Sequence, residues 1–131
     1  MSLIYLAGPL DYGTNDSADR QEFLKRASDL CVIYDATSVF AAPPVQDMAT
    51  GDMAGAIEIH HAAIKQADVM VADMRMRSVG IPIEMWVAYN STIPIVTLYD
   101  DFLPKSLYLE HMTDHWCYSW DSVLSKVMDY V

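Results

Sequence analysis

Apolar residues fall in short, nearly unbroken blocks along the chain, separated by longer stretches with helical spacing. The block 3–7 (LIYLA) reads as a buried strand that stops at Gly8-Pro9. Residues 17–33 (SADRQEFLKRASDLCVI) carry a helical pattern through Phe23, Leu24, Ala27 and Leu30, with Ser17 or Asp16 as its N-cap. A short second strand is predicted at 37–41 (TSVFA), ended by Pro43-Pro44, and 45–55, with Gly51 and Gly55, reads as a loop. A helix over about 56–66 (AIEIHHAAIKQ) leads into a strand at 68–72 (DVMVA). A loop through Gly80, a helix from Pro82 to about Asn90, a strand at 93–99 (IPIVTLY) and a last helix from about Asp121 to Tyr130 complete the series.

Apolar strands alternating with helices predict a parallel sheet covered on both faces. No repeat, linker or low-complexity tract interrupts the pattern, so residues 1–131 are expected to form one doubly wound α/β domain of flavodoxin-like type. Ligands of such sheets sit at the carboxyl ends of the strands, near a switch in strand order. That rule selects Gly8–Tyr12, Asp73–Glu84 and Tyr99–Tyr108, and gives Gly8-Pro9 the task of turning the chain away where a ligand binds.

Composition narrows the function. Among 131 residues, 53% are hydrophobic and 20% charged, enough apolar content for one good core. The formal charge of -10 argues against a general binder of nucleic acid or anionic membranes, but leaves room for a small anion held by backbone amides. Cys31 and Cys117 lie far apart without CxxC spacing, so neither a disulfide scaffold nor a zinc knuckle is expected. No apolar run approaches the ~20 residues that cross a bilayer. Met1-Ser2 runs straight into the first strand, leaving no room for a signal peptide, so a cytoplasmic setting is expected.

The stretch 78–90 (SVGIPIEMWVAYN) carries the most chemistry. Pro82 suits the first helical position, which makes Ile81 the N-cap and puts Glu84 at the third helical position. Glu84 there has two readings. It simply favours the positive end of a helix, or it faces the cleft as an ionised nucleophile that the helix terminus helps keep charged. A capping box is disfavoured, because Ile81 replaces the Ser or Thr that the box needs. Ser78 and the amides of Val79 and Gly80 form either an anion-binding nest or an ordinary turn. No GxGxxG or GxxxxGK[ST] occurs.

Other polar residues are weaker candidates. His111 and His115 have the i, i+4 spacing of two metal ligands, but without the glutamate of HExxH a surface or partner-facing pair is favoured. His60 and His61 are adjacent, so a helix points them in different directions, one of them toward solvent. Met70, Met74, Met76 and Met85 are expected to fill gaps in the core and pocket. Trp116 and Trp120 read as packing or subunit-contact residues. Asp68 opens a strand, whereas Asp73 closes it nearer the expected binding edge.

Three stretches together resemble the nucleoside 2-deoxyribosyltransferase-like family: IYLAGPL at 4–10, AIKQADVMVADM at 63–74 and SVGIPIEMWVAYNSTIPIV at 78–96. They span most of the chain in the family's order. The resemblance implies a flavodoxin-like fold and action on the N-glycosidic bond of nucleosides or nucleotides. It implies Glu84 as nucleophile, Tyr5 at the end of the first strand as the residue holding that carboxylate, and Asp68 as the acid that orients substrate and assists the departing base. Gly8 and Pro9 then let the substrate approach closely. No metal or organic cofactor is implied.

One position separates two branches of that family. Transferases acting on free nucleosides carry aspartate six residues before the nucleophile, and hydrolases of nucleoside 5'-monophosphates carry serine. Here that residue is Ser78, whose hydroxyl can donate to a phosphate that a carboxylate would repel. Ser106 in KSLYLEH matches a second, partner-contributed position at which the hydrolases carry serine, so the resemblance implies a homodimer or a higher homo-oligomer. Leu10-Asp11 stand where some hydrolases have arginine, which leaves phosphate to hydroxyls, amides and Arg20, Arg75 or Arg77. The leading expectation is a hydrolase of (deoxy)nucleoside 5'-monophosphates. The alternatives are a transferase that exchanges bases and a non-catalytic nucleotide-binding module.

Overall fold

The computed structural model describes residues 2–8, 18–36, 53–76, 80–101 and 104–131. In chain order these form β1 (Leu3–Ala7), α1 (Ala18–Ser28), β2 (Val32–Asp35), α2 (Met53–Gln66), β3 (Val69–Asp73), α3 (Gly80–Asn90), β4 (Ile95–Leu98), α4 (Leu107–Met112), β5 (His115–Cys117) and α5 (Trp120–Val127). The five strands make one sheet in the order β2-β1-β3-β4-β5, every neighbouring pair parallel. This is the flavodoxin-like α/β arrangement, with its switch in strand order beside β1 and β3.

Strand alternation divides the core in two. Ile4 and Leu6 of β1 point to the face covered by α1 and α5, against Phe23, Ala27, Trp120, Val123 and Val127. Tyr5 and Ala7 point to the other face, where Ile64 of α2, Met85 and Ala88 of α3, and Leu109 and Met112 of α4 pack. Strands buried on both faces account for the unbroken apolar runs of β1, β3 and β4.

Several boundaries differ from the sequence expectation. The first helix stops at Ser28, and Val32 and Ile33, assigned to it from the sequence, belong to β2. Leu30, counted in the helical stripe, is 52% exposed, while the β-branched pair that follows suits a strand. The strand expected at 37–41 lies outside the described residues. The third helix begins at Gly80 rather than Pro82. Pro82 therefore sits inside the first turn, where its missing N–H costs no intrahelical bond, and Ile81 is a buried helical residue rather than the N-cap. α4 and β5, six and three residues long, add two elements absent from the sequence reading.

α3 ends in a Schellman turn. Ile93 N donates to Ala88 O (2.9 Å) and Thr92 N to Tyr89 O (3.2 Å), with Thr92 in the left-handed region at φ 58°.

The amino ends of two strand pairs are clamped by the same device. Asp68, one residue before β3, accepts from Leu3 N (2.8 Å) at Oδ2 and donates its own N–H to Leu3 O (2.8 Å). Asp114, one residue before β5, accepts from Ile95 N (2.8 Å) and donates to Ile95 O (2.9 Å). Each aspartate satisfies the first N–H of the neighbouring strand, which the ladder leaves without a strand partner.

Candidate active site

Tyr5 is the middle residue of β1, two positions short of the strand end where the sequence reading put it, and it is wholly buried. Its ring crosses the space between sheet and helices, so the hydroxyl emerges between α2 and α3. There it donates to Glu84 Oε2 at 2.9 Å. On its other side the same hydroxyl oxygen lies 3.1 Å from His60 Nδ1 of α2. Tyr34 of β2 stacks on Tyr5 at 5.4 Å between ring centroids, with 11° between planes. His60 meets Tyr34 edge-on at 5.6 Å and 90°.

Burial governs the charges here. Glu84 is the fifth residue of α3, past the first turn to which the helix dipole is largely confined. Desolvation dominates and pushes its pKa up from 4.5 to about 7, while the Tyr5 hydrogen bond pulls it partly back. The expectation of a carboxylate kept ionised by the helix terminus is thereby corrected. Burial and the Glu84 charge raise the pKa of Tyr5 far above the usual phenol range, so it remains a donor. The same two causes raise that of Tyr34. Burial, then His61, lowers that of His60 and favours the neutral ring.

The structure brings together Tyr5 and Glu84 of the sequence-derived set, and it does not bring Asp68 to them. Asp68 stands at the amino edge of the sheet, opposite the carboxyl edge where α3 begins, clamping Leu3. Gly8 follows β1 at the carboxyl edge, and Gly80 opens α3 with no atom of the described residues within 4 Å of a Cβ placed on it. Pro9 and Ser78 lie outside the described residues. Ser106 is the N-cap of α4, its hydroxyl accepting from Leu109 N at 3.1 Å.

Sequence reasoning leaves His60 among the weaker candidates and gives Tyr34 no role. The first is one of two adjacent histidines, and only the packing of α2 on β1 distinguishes it: His60 is 2% exposed and His61 half-buried. The second was placed in no element. His111 and His115 do not share a helical face, since one is on α4 and the other in β5, and each bonds a different tyrosine, Tyr89 (2.7 Å) and Tyr130 (2.8 Å). Among the described residues no group of three or more His, Cys, Asp or Glu side chains could hold a metal ion. Met70, Met74 and Met85 fill the core as expected, whereas Met76 is exposed. Trp120 is buried against Phe23, which removes it from the subunit-contact candidates.

Among the described residues the carboxyl edge also holds two ion pairs. Arg75 binds Asp73 through Nε (2.9 Å) and Nη2 (2.7 Å), and buried Arg20 binds Asp35 at 3.0 Å. No helix among the described residues is long and apolar enough to cross a membrane.

No family model matches the chain, and no curated protein does. Solved structures do match. A 2-deoxyribosyltransferase from the psychrotolerant bacterium Bacillus psychrosaccharolyticus superposes with a TM-score of 0.63 at 13% identity, covering 94% of this chain and 90% of its own. A conserved protein from Enterococcus faecalis V583 gives 0.65 at 18% identity, covering 100% and 99%. The CMP N-glycosidase BcmB of Clostridium botulinum gives 0.57 at 14% identity, covering 97% and 99%. At these identities the likeness is one of fold: the chain has the flavodoxin-like architecture that a 2-deoxyribosyltransferase and a CMP N-glycosidase also have.

Proposed function

We propose that this protein, acting as one nucleoside 2-deoxyribosyltransferase-like domain, hydrolyses the N-glycosidic bond of a (deoxy)nucleoside 5'-monophosphate. The observation that carries the reading is the Tyr5 hydroxyl donating to Glu84 Oε2 at 2.9 Å beside the β1/β3 switch. A part-buried carboxylate oriented by a phenol that does not itself ionise is a nucleophile held in place. Ionised Glu84 attacks C1' as the bond to the base breaks and the base departs with the electron pair. Water then adds to C1' of the glycosyl ester, giving sugar phosphate and restoring the carboxylate. The proton for the departing base comes from water or a group other than Asp68, which faces the far edge of the sheet. A CMP N-glycosidase among proteins of this fold supports a nucleotide substrate, and Ser78, six residues before Glu84, supplies a hydroxyl for its phosphate.

The second reading is base exchange on free nucleosides. It is favoured by the two arginine pairs, because Arg20 and Arg75 direct their guanidinium charge to Asp35 and Asp73. A 2-deoxyribosyltransferase among proteins of this fold fits it too. We also propose a homodimer formed through α3 and α4, whose outer faces expose Ile83, Trp86, Leu107 and Tyr108.

A panel of nucleoside monophosphates and nucleosides assayed for free base, with and without a second base, tests these readings. Hydrolysis preferring monophosphates, with the preference reduced at least tenfold in Ser78→Asp, is the expected result. A preference for nucleosides with base exchange overturns it in favour of the transferase, and tight binding without turnover overturns both.

A further inference from the structure

The Tyr5 hydroxyl has one proton and, among the described residues, two hydrogen-bonding neighbours. Glu84 Oε2 at 2.9 Å takes that proton when ionised, since a carboxylate can only accept. His60 Nδ1 at 3.1 Å then makes a hydrogen bond only by donating to the phenol oxygen. A neutral imidazole that donates at Nδ1 is unprotonated at Nε2, so the geometry selects one of its two tautomers. The other, protonated at Nε2, would turn Nδ1 into an acceptor competing with Glu84 for the Tyr5 proton.

We propose that His60 is a positioning residue for this site: held as the neutral Nδ1–H tautomer, it donates to the Tyr5 oxygen and thereby commits the Tyr5 proton to Glu84. The setting suits the task. His60 is buried, and its ring lies nearly perpendicular to both Tyr5 (88°) and Tyr34 (90°), which fixes the plane in which Nδ1 points. Among the described residues the titratable groups around it are Tyr5 on β1, Tyr34 on β2, Glu84 of α3 beyond Tyr5, and His61 on its own helix. As a statement about catalysis the inference rests on Glu84 being the nucleophile. As a statement about where the protons sit it stands without any activity.

The test is nuclear magnetic resonance on the full chain labelled at histidine nitrogens and glutamate carboxyls. Above pH 8 the His60 signals should show protonated Nδ1 and unprotonated Nε2. His60→Ala should raise the Glu84 titration midpoint by roughly a few tenths of a pH unit, because the phenol oxygen loses the Nδ1–H donation that strengthens its own hydrogen bond to Glu84. His60→Asn, whose amide can place an N–H where Nδ1–H stood, should restore it. In a Tyr5→Phe background, His60→Ala should add nothing. Protonated Nε2 beside an ionised Glu84 overturns the inference, as does an equal midpoint shift with and without the Tyr5 hydroxyl. If His60→Ala does not fold, the wild-type tautomer and His60→Asn still decide. Once a substrate is known, His60→Ala should lower kcat at least tenfold with KM little changed. A protein inactive on every nucleotide and nucleoside that still shows the tautomer and the midpoint shifts upholds this inference and removes only the glycosidase reading.

Discussion

Replacing Glu84 with glutamine should make the protein more stable, and only at neutral to alkaline pH. Folding moves the Glu84 pKa from 4.5 to about 7, chiefly by taking the carboxylate out of water. Between those values the folded protein holds a proton that the unfolded chain has given up, so stability falls as pH rises through that window. At about 1.4 kcal/mol per pH unit over this window the loss is at most about 3.5 kcal/mol. Glutamine carries no charge to desolvate and keeps an oxygen for the Tyr5 hydroxyl, so Glu84→Gln should gain about 1–3 kcal/mol at pH 8.5 and almost nothing at pH 4. His60 contributes the opposite slope, its lowered pKa costing stability as pH falls below 6.5, but both proteins share that term and the difference cancels it. Denaturant unfolding of each protein at the two pH values, with unchanged m, measures the effect as a shift in midpoint. Equal stability gaps at both pH values would show that folding does not desolvate Glu84, and the reasoning fails.

Catalysis should depend on the same titration: turnover should fall as pH drops through about 7, as Glu84 takes up a proton and ceases to be a nucleophile, and a flat rate from pH 5 to 8 would refute this. Asp68→Ala should lower stability by about 0.5–1.5 kcal/mol through the lost clamp on Leu3 and leave base release within a few-fold of wild type; lost turnover at full stability would return Asp68 to the site. Thr92→Gly should stabilise by roughly 0.5–1 kcal/mol, relieving a β-branched residue at φ 58° against the added freedom of the unfolded glycine, measured by thermal unfolding. Trp86→Glu should yield monomers in sedimentation equilibrium, since it places a charge in the exposed apolar face of α3; an unchanged oligomer places the interface elsewhere.

The strands that the sequence reveals best are those with four or five successive buried residues, β1, β3 and β4. β5 escapes because His115 and Trp116 are only half-buried and the strand is three residues long. β2 reads as a continuation of the preceding helix, because Val32 and Ile33 extend an apolar pattern whose Leu30 faces solvent. The Tyr5–Glu84 pair came from resemblance, not from spacing. The role of Asp68 also came from resemblance, and strand direction runs against it, since a residue that precedes a strand of a parallel sheet stands at the amino edge, away from the ligand edge. His60 had no local signal, because its identity as the buried member of a pair depends on how α2 rolls against β1.

The two hydrogen bonds of the Tyr5 hydroxyl reach residues 55 and 79 positions along the chain. No contiguous fragment of ordinary supersecondary size contains all three side chains, and parallel pairing of β1 with β3 has to bring them together. Such distant contacts require closure of long loops before they return any energy, so they complete late in folding. A refolding chain should therefore recover helical signal before Glu84 acquires its unusual proton affinity. The same dependence operates in reverse: loosening of α2 withdraws His60 and loosening of α3 withdraws Glu84, while neither helix contributes a strand to the sheet. Proton uptake by one carboxylate thus becomes a more sensitive gauge of native order than the secondary structure around it.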